Sequence, residues 1–554
     1  MLAFIRIQPR LTKTRVSGPN WPIGGKAPTV ESHTLNDPMP GLVLGENSNA
    51  VKTAAVPLTE QLVNELRNAG VRYCHWKSNR QLDISLRAEE DLDLLIAIED
   101  KAEAQKVLSQ LAFKQFIQVP RKRFNAITDI IGFDEESGKL IHLHTHFRLT
   151  LGERFIKGYR LPWQDEVLRG TKESEDSVAI FIPAPEVELL LLIIRNCLRA
   201  RLWSRLAPRS FDHQLEKYFY PDRAWLMPQI EEKSLMRLNA KWLDAQLWPQ
   251  VHSAATAQMD TRGFLKLRKK VVRLLSPYRT YSPFEAVLRN TLRNVGWAFG
   301  NINKRRLHLP RPWGRSSTSG GIIVCVIGAD GAGKSTLVRE LVHWLGYKID
   351  ALPVYMGSGD GPGSAALGVL KIFRRLFFDT NQRRKVDHAT DQIRIIRDKS
   401  TDPLLWRMAR LVWGISLAFE KKKKLKLAYR AASRGIVVIA DRYPQAQIFG
   451  FNDGPLLRDF ESSNIGVFRA IARWELDVYR MSEQMSPDLV IKLMVPIETA
   501  IERKPEMRPE EIERRNAAVE NISFPPRTHV ARIRADLPLE IVILQAKKLV
   551  WSLL

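Results

Sequence analysis

The octapeptide Gly328-Ala329-Asp330-Gly331-Ala332-Gly333-Lys334-Ser335 places the tightest constraint on this chain. It fits the pattern G-x-x-x-x-G-K-S/T and lies between an apolar run, IIVCVIG (322–328), and an amphipathic stretch from Thr336 to Leu345. A short apolar run bounded by turn residues reads as a buried strand, and the stretch after it as a helix. Glycines at a strand-to-helix turn let backbone N–H groups converge on phosphate oxygens, with the positive end of the helix behind them. In that frame Lys334 neutralises β- and γ-phosphate charge and the Ser335 hydroxyl meets a Mg²⁺ ion, with Thr336 opening the helix. Chance yields the bare pattern in roughly one chain in fifty of this length, before strand and helix are required. The octapeptide therefore reads as a nucleotide-phosphate cradle.

Two further apolar runs, GIVVIA (435–440) and DLVIKLMV (488–495), have the same bounded character, and EIVILQAKKLVWSLL (540–554) is amphipathic. Strand, crossover helix and strand in succession give a parallel sheet covered on both faces, the fold expected of a P-loop NTPase. At 554 residues the chain is too long for one hydrophobic core. A leader rich in Pro, Gly, Ser and Asn (1–56) is expected to be disordered. Short β-like runs at 71–76, 91–98 and 139–147 around a helix at 101–113 predict a mixed α/β domain over 57–183. Residues 184–308 read as helical and basic, 309–320 as a linker of Pro, Gly and Ser, and 321–554 as the P-loop domain.

Apolar residues at 45% and charged residues at 26% exclude a disordered, collagen-like or disulfide-scaffold chain. Cys74, Cys197 and Cys325 are far apart, with no metal-ligand spacing, which fits a reducing compartment. No apolar run approaches a membrane span, and a cytoplasmic location is expected. The charge is less ordinary, at +25 overall. Residues 186–320 hold 24 Lys+Arg against 10 Asp+Glu, a local excess of 14. Two readings remain open: a solvated basic surface, or a site for a polyanion or an anionic membrane surface. Within this region Phe284, Leu288, Leu292 and Val295 fall at helical intervals, with Arg289 and Arg293 off that face.

VIGADGAGKSTL resembles the P-loop of thymidylate kinase-like enzymes, which carry an acidic residue where Asp330 stands. RGIVVIADRYPQ resembles their DRY segment, PDLVIKLMVPIETAIERK (487–504) their later strand and helix, and RPEEIERR (508–515) their lid. The four elements occur in the family's order over 320–554. The resemblance implies that Gly328, Gly331, Gly333, Lys334 and Ser335 hold ATP and Mg²⁺, and that Asp441 positions the ion. It also implies that Asp330 accepts from the acceptor's sugar hydroxyl and that Arg442 holds the acceptor phosphate. Because Gly331 offers no arginine, transition-state charge is left to Arg508, Arg514 or Arg515. With Glu510, Glu511 and Glu513 among them, these arginines read equally as an exposed charged helix. VYMGSGDGPGS (354–364) and the basic stretch with KKKK (421–424) depart from the family, and no base-reading residues stand out.

Asp91-Leu92-Asp93 puts two carboxylates on one side of a predicted strand, as a pair holding a divalent metal requires. Together with HWKSN (75–79) upstream and IHLHTH (141–146) downstream, it resembles nucleotidyltransferase-fold proteins of the polymerase-β type over about 58–165. The resemblance implies metal at Asp91 and Asp93 and a third acid on the later strand, where this chain has His142. His142, His144 and His146 share one strand face, either as a zinc-like site or as partly buried side chains, and imidazole suits Mg²⁺ poorly. Transferase activity of this domain is not expected.

The resemblance thus implies an ATP- and Mg²⁺-dependent nucleoside-monophosphate kinase, with dTMP converted to dTDP. The alternative is a P-loop regulatory or polyanion-binding ATPase with a degenerate nucleotidyltransferase domain. Expected partners are ATP, a nucleotide-like acceptor and a polyanion or anionic membrane at the basic region, with a homodimer as the candidate assembly.

Overall fold

The computed structural model describes residues 54–554 apart from 120–122, 125, 154–155, 201–207, 304–308, 358–403, 450–452, 504 and 506. Residues 52–356 and 386–554 form one compact unit that contains every strand described below. The leader expected over 1–56 falls outside the described residues except for its end, where Val56 is buried and its carbonyl starts the helix Pro57–Asn68.

The first sheet runs β1 (Tyr73–His75), β2 (Leu92–Ile96), β3 (Lys114–Gln118), β4 (Ile127–Phe133) and β5 (Leu140–His146) along the chain. Two hairpins follow, β6 (Thr150–Glu153) with β7 (Ile156–Arg160), and β8 (Thr171–Glu173) with β9 (Phe181–Pro183). Alternation divides the first sheet. Leu92, Leu94, Ile96, Ile141 and Leu143 face the helices Pro57–Asn68 and Lys101–Gln110 in one core, while the acids and histidines occupy the other face. Helices from Pro185–Arg199 to Thr261–Leu274 then build a separate core around Leu189–Ile194.

The segment that reads as a linker folds differently. Arg315–Ser317 forms β10, which pairs antiparallel with β3 and completes the order β1-β2-β5-β4-β3-β10. Its small polar residues tolerate an edge position, and Arg315 gains a carboxylate partner that local sequence cannot announce.

The second sheet comprises β11 (Ile323–Gly328), β12 (Ala351–Tyr355), β13 (Val437–Asp441), β14 (Leu489–Met494) and β15 (His529–Arg534). All neighbours are parallel in the order β12-β13-β11-β14-β15, so both faces need helices. Val324 and Val326 pack under Lys334–Gly346 and Leu539–Leu553, while Ile323, Cys325 and Ile327 meet Leu425, Ala428 and Val519 on the opposite face.

The two sheets are not independent bodies. Phe116, Ile131, Phe133 and Leu140 of the first join the core under the second. Trp551 is the hinge-pin of that junction: its ring stacks on Phe116 at 6.3 Å, tilts against Phe133 at 5.9 Å, and its carbonyl accepts from Lys114 Nζ at 2.5 Å. Trp551→Ala is expected to cost about 3–5 kcal/mol, as deletion of a buried aromatic does. Because the core is shared, a urea titration should show both sheets lost in one destabilised transition.

Candidate functional site

The cradle forms where β11 gives way to the helix Lys334–Gly346. Gly331 and Gly333 adopt φ of +84° and +82°, which only glycine adopts without strain, and these turns fold the loop back on the helix start. Lys334 is buried, and its Nζ donates to the Ala329 carbonyl at 2.7 Å while standing 3.7 Å from Asp330. Burial first, then the neighbouring Arg442, pushes its ammonium down to about 8, so it remains mostly charged at neutral pH. Ser335 is exposed at the rim, and its hydroxyl donates to Asp441 Oδ2 at 2.7 Å. The other oxygen of Asp441, Oδ1, is buried without a hydrogen-bond partner among the described residues. Thr336 lies behind Ser335, half-buried.

Arg442 follows β13 in the left-handed region, at φ +68°. A non-glycine residue there costs about 1–3 kcal/mol and persists only where its surroundings fix it. Here Arg442 Nη2 donates to Asp330 Oδ1 at 2.7 Å, and Nη1 stands 3.7 Å from Asp453. Burial alone would raise the Asp330 carboxyl, but Arg442, Lys334 and Arg515 outweigh it and hold it well below the usual carboxylate range. The same recess is lined by Gly328, Gln445, Asp453, Val519 and Phe524.

Of Arg508, Arg514 and Arg515, Arg515 reaches the cradle: on the helix Pro509–Asn521 it pairs with Asp330, and at 2.6 Å with Glu511. Arg508 caps that helix and Arg514 lies on it, and both are exposed. Arg503 also approaches, with Nη1 3.5 Å from the Gly331 carbonyl.

Two partners in this recess escaped the sequence reading. Lys421, first of the KKKK run, is buried and donates to Asp453 at 3.1 Å and to the Met356 carbonyl at 3.0 Å. A run of four lysines reads as a solvated face, yet on the helix Leu404–Ala432 one of them turns inward. Most of the segment 354–364, where base-reading residues were sought, lies outside the described residues.

A second charged cluster occupies the other face of the first sheet. Parallel pairing of β2 with β5 sets Asp93 beside His144. His142 sits between two carboxylates, Nδ1 at 2.7 Å from Asp91 and Nε2 at 3.0 Å from Asp129. Asp91, His142 and His144 bring one ligand atom each within 4.8 Å of one another, a nitrogen-rich set that suits softer metals than Mg²⁺. His142 stands where an acid was sought; the third carboxylate of the cluster is Asp129, on β4. Each carboxylate has a basic partner: Lys77 on Asp93 at 2.7 Å, Arg315 on Asp129 at 2.8 Å, and Lys348 on Asp91. Although burial would raise Asp91, His142, His144 and Lys348 hold it well below its ordinary value. The flanking HWKSN segment is tied inward as well, with His75 Nδ1 2.6 Å from Asn79 Oδ1 and Asn79 donating to Glu188 at 2.7 Å.

The uncharacterized ATP-binding protein YghR of Escherichia coli K12 is 31% identical over 236 residues, spanning 41% of this chain and 86% of its own length. The chain belongs to the YghR family. YghS of the same organism, also named an uncharacterized ATP-binding protein, is 27% identical over 203 residues, 36% of this chain and 81% of its own. No family model matches. Deoxyadenosine kinase from M. mycoides, solved with bound dCTP, aligns at 18% identity over 42% of this chain and all of its own, with a TM-score of 0.23. A score that low carries no argument about function.

The ion pair between Arg315 and Asp129 is open to direct test. Arg315→Ala in the full chain should cost about 3 kcal/mol by leaving buried Asp129 without its guanidinium. Adding Asp129→Asn should recover part of that loss. Urea unfolding of the single and double variants measures both effects; an additive double variant would show that the pair does not couple.

Proposed function

We propose that the chain is an ATP- and Mg²⁺-dependent phosphotransferase acting on a nucleotide-like acceptor, with dTMP the expected best among nucleoside monophosphates. The observation that carries this reading is the Arg442–Asp330 pair across the mouth of the cradle. ATP hydrolysis alone needs neither residue, whereas an acceptor phosphate and its sugar hydroxyl need one of each. The names of YghR and YghS support ATP as the nucleotide.

The residues present fit a hard divalent ion. Among the described residues Asp441 Oδ1 has no hydrogen-bond partner, its other oxygen meets the Ser335 hydroxyl, and an all-oxygen donor pair suits Mg²⁺. Ser335 and Asp441 would hold the ion, which when bound neutralises charge shared by the β- and γ-phosphates. Lys334 exchanges the Ala329 carbonyl for phosphate oxygens, for which its ammonium is the better match. Arg442 turns from Asp330 to the acceptor phosphate and frees that carboxylate to accept the acceptor hydroxyl. Arg515 stays at the mouth, the one of the three lid arginines that reaches Asp330, with Arg508 and Arg514 exposed on the same lid.

Lys334→Ala should lower phosphoryl transfer by at least about 100-fold, since its contact strengthens in the transition state. Circular dichroism should remain unchanged, and undiminished turnover would overturn the assignment.

The second reading, a regulatory ATPase, draws on one observation: the acids of the first sheet are already neutralised by lysine and arginine. ADP release measured with each nucleoside monophosphate separates the two. A kinase gives a profile peaked at dTMP, with Arg442→Ala raising KM and lowering kcat. A flat profile favours the regulatory reading.

A further inference from the structure

The helix Pro283–Ile302 has a face that phosphoryl transfer does not use. Pro283 opens it and the Ser282 hydroxyl accepts from the Glu285 N–H, so its start is well capped. One side is committed to the protein: Ala286 and Gly300 are buried, and a Cβ at Gly300 would collide with Trp313. Arg293 belongs to that side too, donating to the Arg123 carbonyl at 2.6 Å and lying over the Phe124 ring. The other side is apolar and open. Phe284, Val287, Leu288, Leu292, Val295 and Phe299 are exposed at 46–79%, and they repeat every three or four residues along the whole helix. Twenty residues at the α-helical rise make a strip about 30 Å long. Scattered apolar residues are ordinary on a surface, but a continuous strip of this length marks an interaction site.

Three observations identify what covers it. The strip is a ridge on one helix, a shape that beds into a soft surface. Its aromatic members, Phe284 and Phe299, belong to the side chains that favour the boundary between headgroups and acyl chains. The surrounding region, 186–320, carries 24 basic against 10 acidic residues, which repels a second copy and attracts an anionic surface. Among the described residues no helix is long and apolar enough to cross a membrane, and Arg289 and Arg293 would forbid this one to do so. The geometry is that of a helix lying flat.

We propose that Pro283–Ile302 is an in-plane membrane anchor. Its apolar strip enters the interface of a bilayer rich in anionic lipid, and the basic region around it is held by the lipid phosphates. The proposal stands independently of the reading of the phosphate cradle.

The test uses the full chain and sedimentation with vesicles. One set is phosphatidylcholine with about 30% phosphatidylglycerol, the other phosphatidylcholine alone. The protein should pellet with the first set and far less with the second. Raising NaCl to about 0.5 M should weaken binding without abolishing it, because screening removes attraction but not apolar burial. Leu288→Glu combined with Leu292→Glu should lower apparent affinity at least about tenfold, since two exposed leucines no longer insert. Both positions face water, so circular dichroism and the melting temperature should stay unchanged. Equal binding by the variant, or binding that salt abolishes completely, would overturn the proposal in favour of a purely electrostatic surface. Absence of wild-type binding to either vesicle overturns it too. If light scattering then shows a dimer that the variant dissolves, the strip is covered by a second copy.

Discussion

Asp330 stands where three segments distant in sequence converge. The cradle supplies the carboxylate and Lys334, the turn after β13 supplies Arg442, and the helix Pro509–Asn521 supplies Arg515. Withdrawing a charge from water costs several kcal/mol per ion, recovered only when opposite charges and hydrogen bonds surround it. The carboxylate therefore cannot be buried until all three segments are in place, which makes closing the site and folding this corner of the sheet one event. The strained backbone at Arg442 is tolerable for the same reason: two carboxylates, Asp330 and Asp453, pull on its guanidinium. Replacing these protein carboxylates by ligand phosphates exchanges one set of compensating charges for another.

The same requirement governs the first sheet. Asp91, Asp93 and Asp129 lie under partial or full burial, and the basic groups that balance them come from three places in the chain. Lys77 is local. Arg315 belongs to the edge strand β10, and Lys348 follows the helix that begins at Lys334. That helix, about 20 Å long, thus has the phosphate cradle at one end and the acidic cluster just beyond the other. Charge compensation and the apolar contacts of Trp551 act together, and the two sheets form one compact unit as a result.

What could be read from the sequence follows from how local each signal is. The octapeptide and its flanking runs are contiguous, so strand, turn and helix were legible at 323–328 and 334–346 within a residue or two. Period-2 alternation likewise disclosed that His142, His144 and His146 share a face. Partners brought together by topology were not legible. Nothing near Asp129 marks it as the third acid, because its pairing with His142 depends on β4 lying antiparallel to β5. Lys421 and Asp453 meet across 32 residues, and the lysine run around the first hides it. Among Arg508, Arg514 and Arg515 only helical phase decides which turns inward, and Glu511 one turn earlier fixes Arg515 there. Residues 309–320 misled because polar, glycine-rich composition describes an edge strand as well as a linker; the difference lies in β3, which offers its free edge nearly 200 residues earlier in the chain.

The cations on the acidic cluster also determine what that cluster is now able to do. A divalent ion between Asp91, His142 and His144 has to compete with Lys348, which already occupies Asp91 and is itself nearly buried. Displacing that ammonium leaves it in a low-dielectric surrounding without its carboxylate, a loss added to any gain from the ion. It also breaks one of the contacts that hold the two sheets together. Asp129 is similarly engaged, receiving Arg315, His142 and Gln118 on a single oxygen. Of the three pairs, Lys77–Asp93 and Arg315–Asp129 fix the first sheet internally, and Lys348–Asp91 fastens it to the helix that packs under the second. Through Lys348 the charge of Asp91 is spent on joining the two sheets.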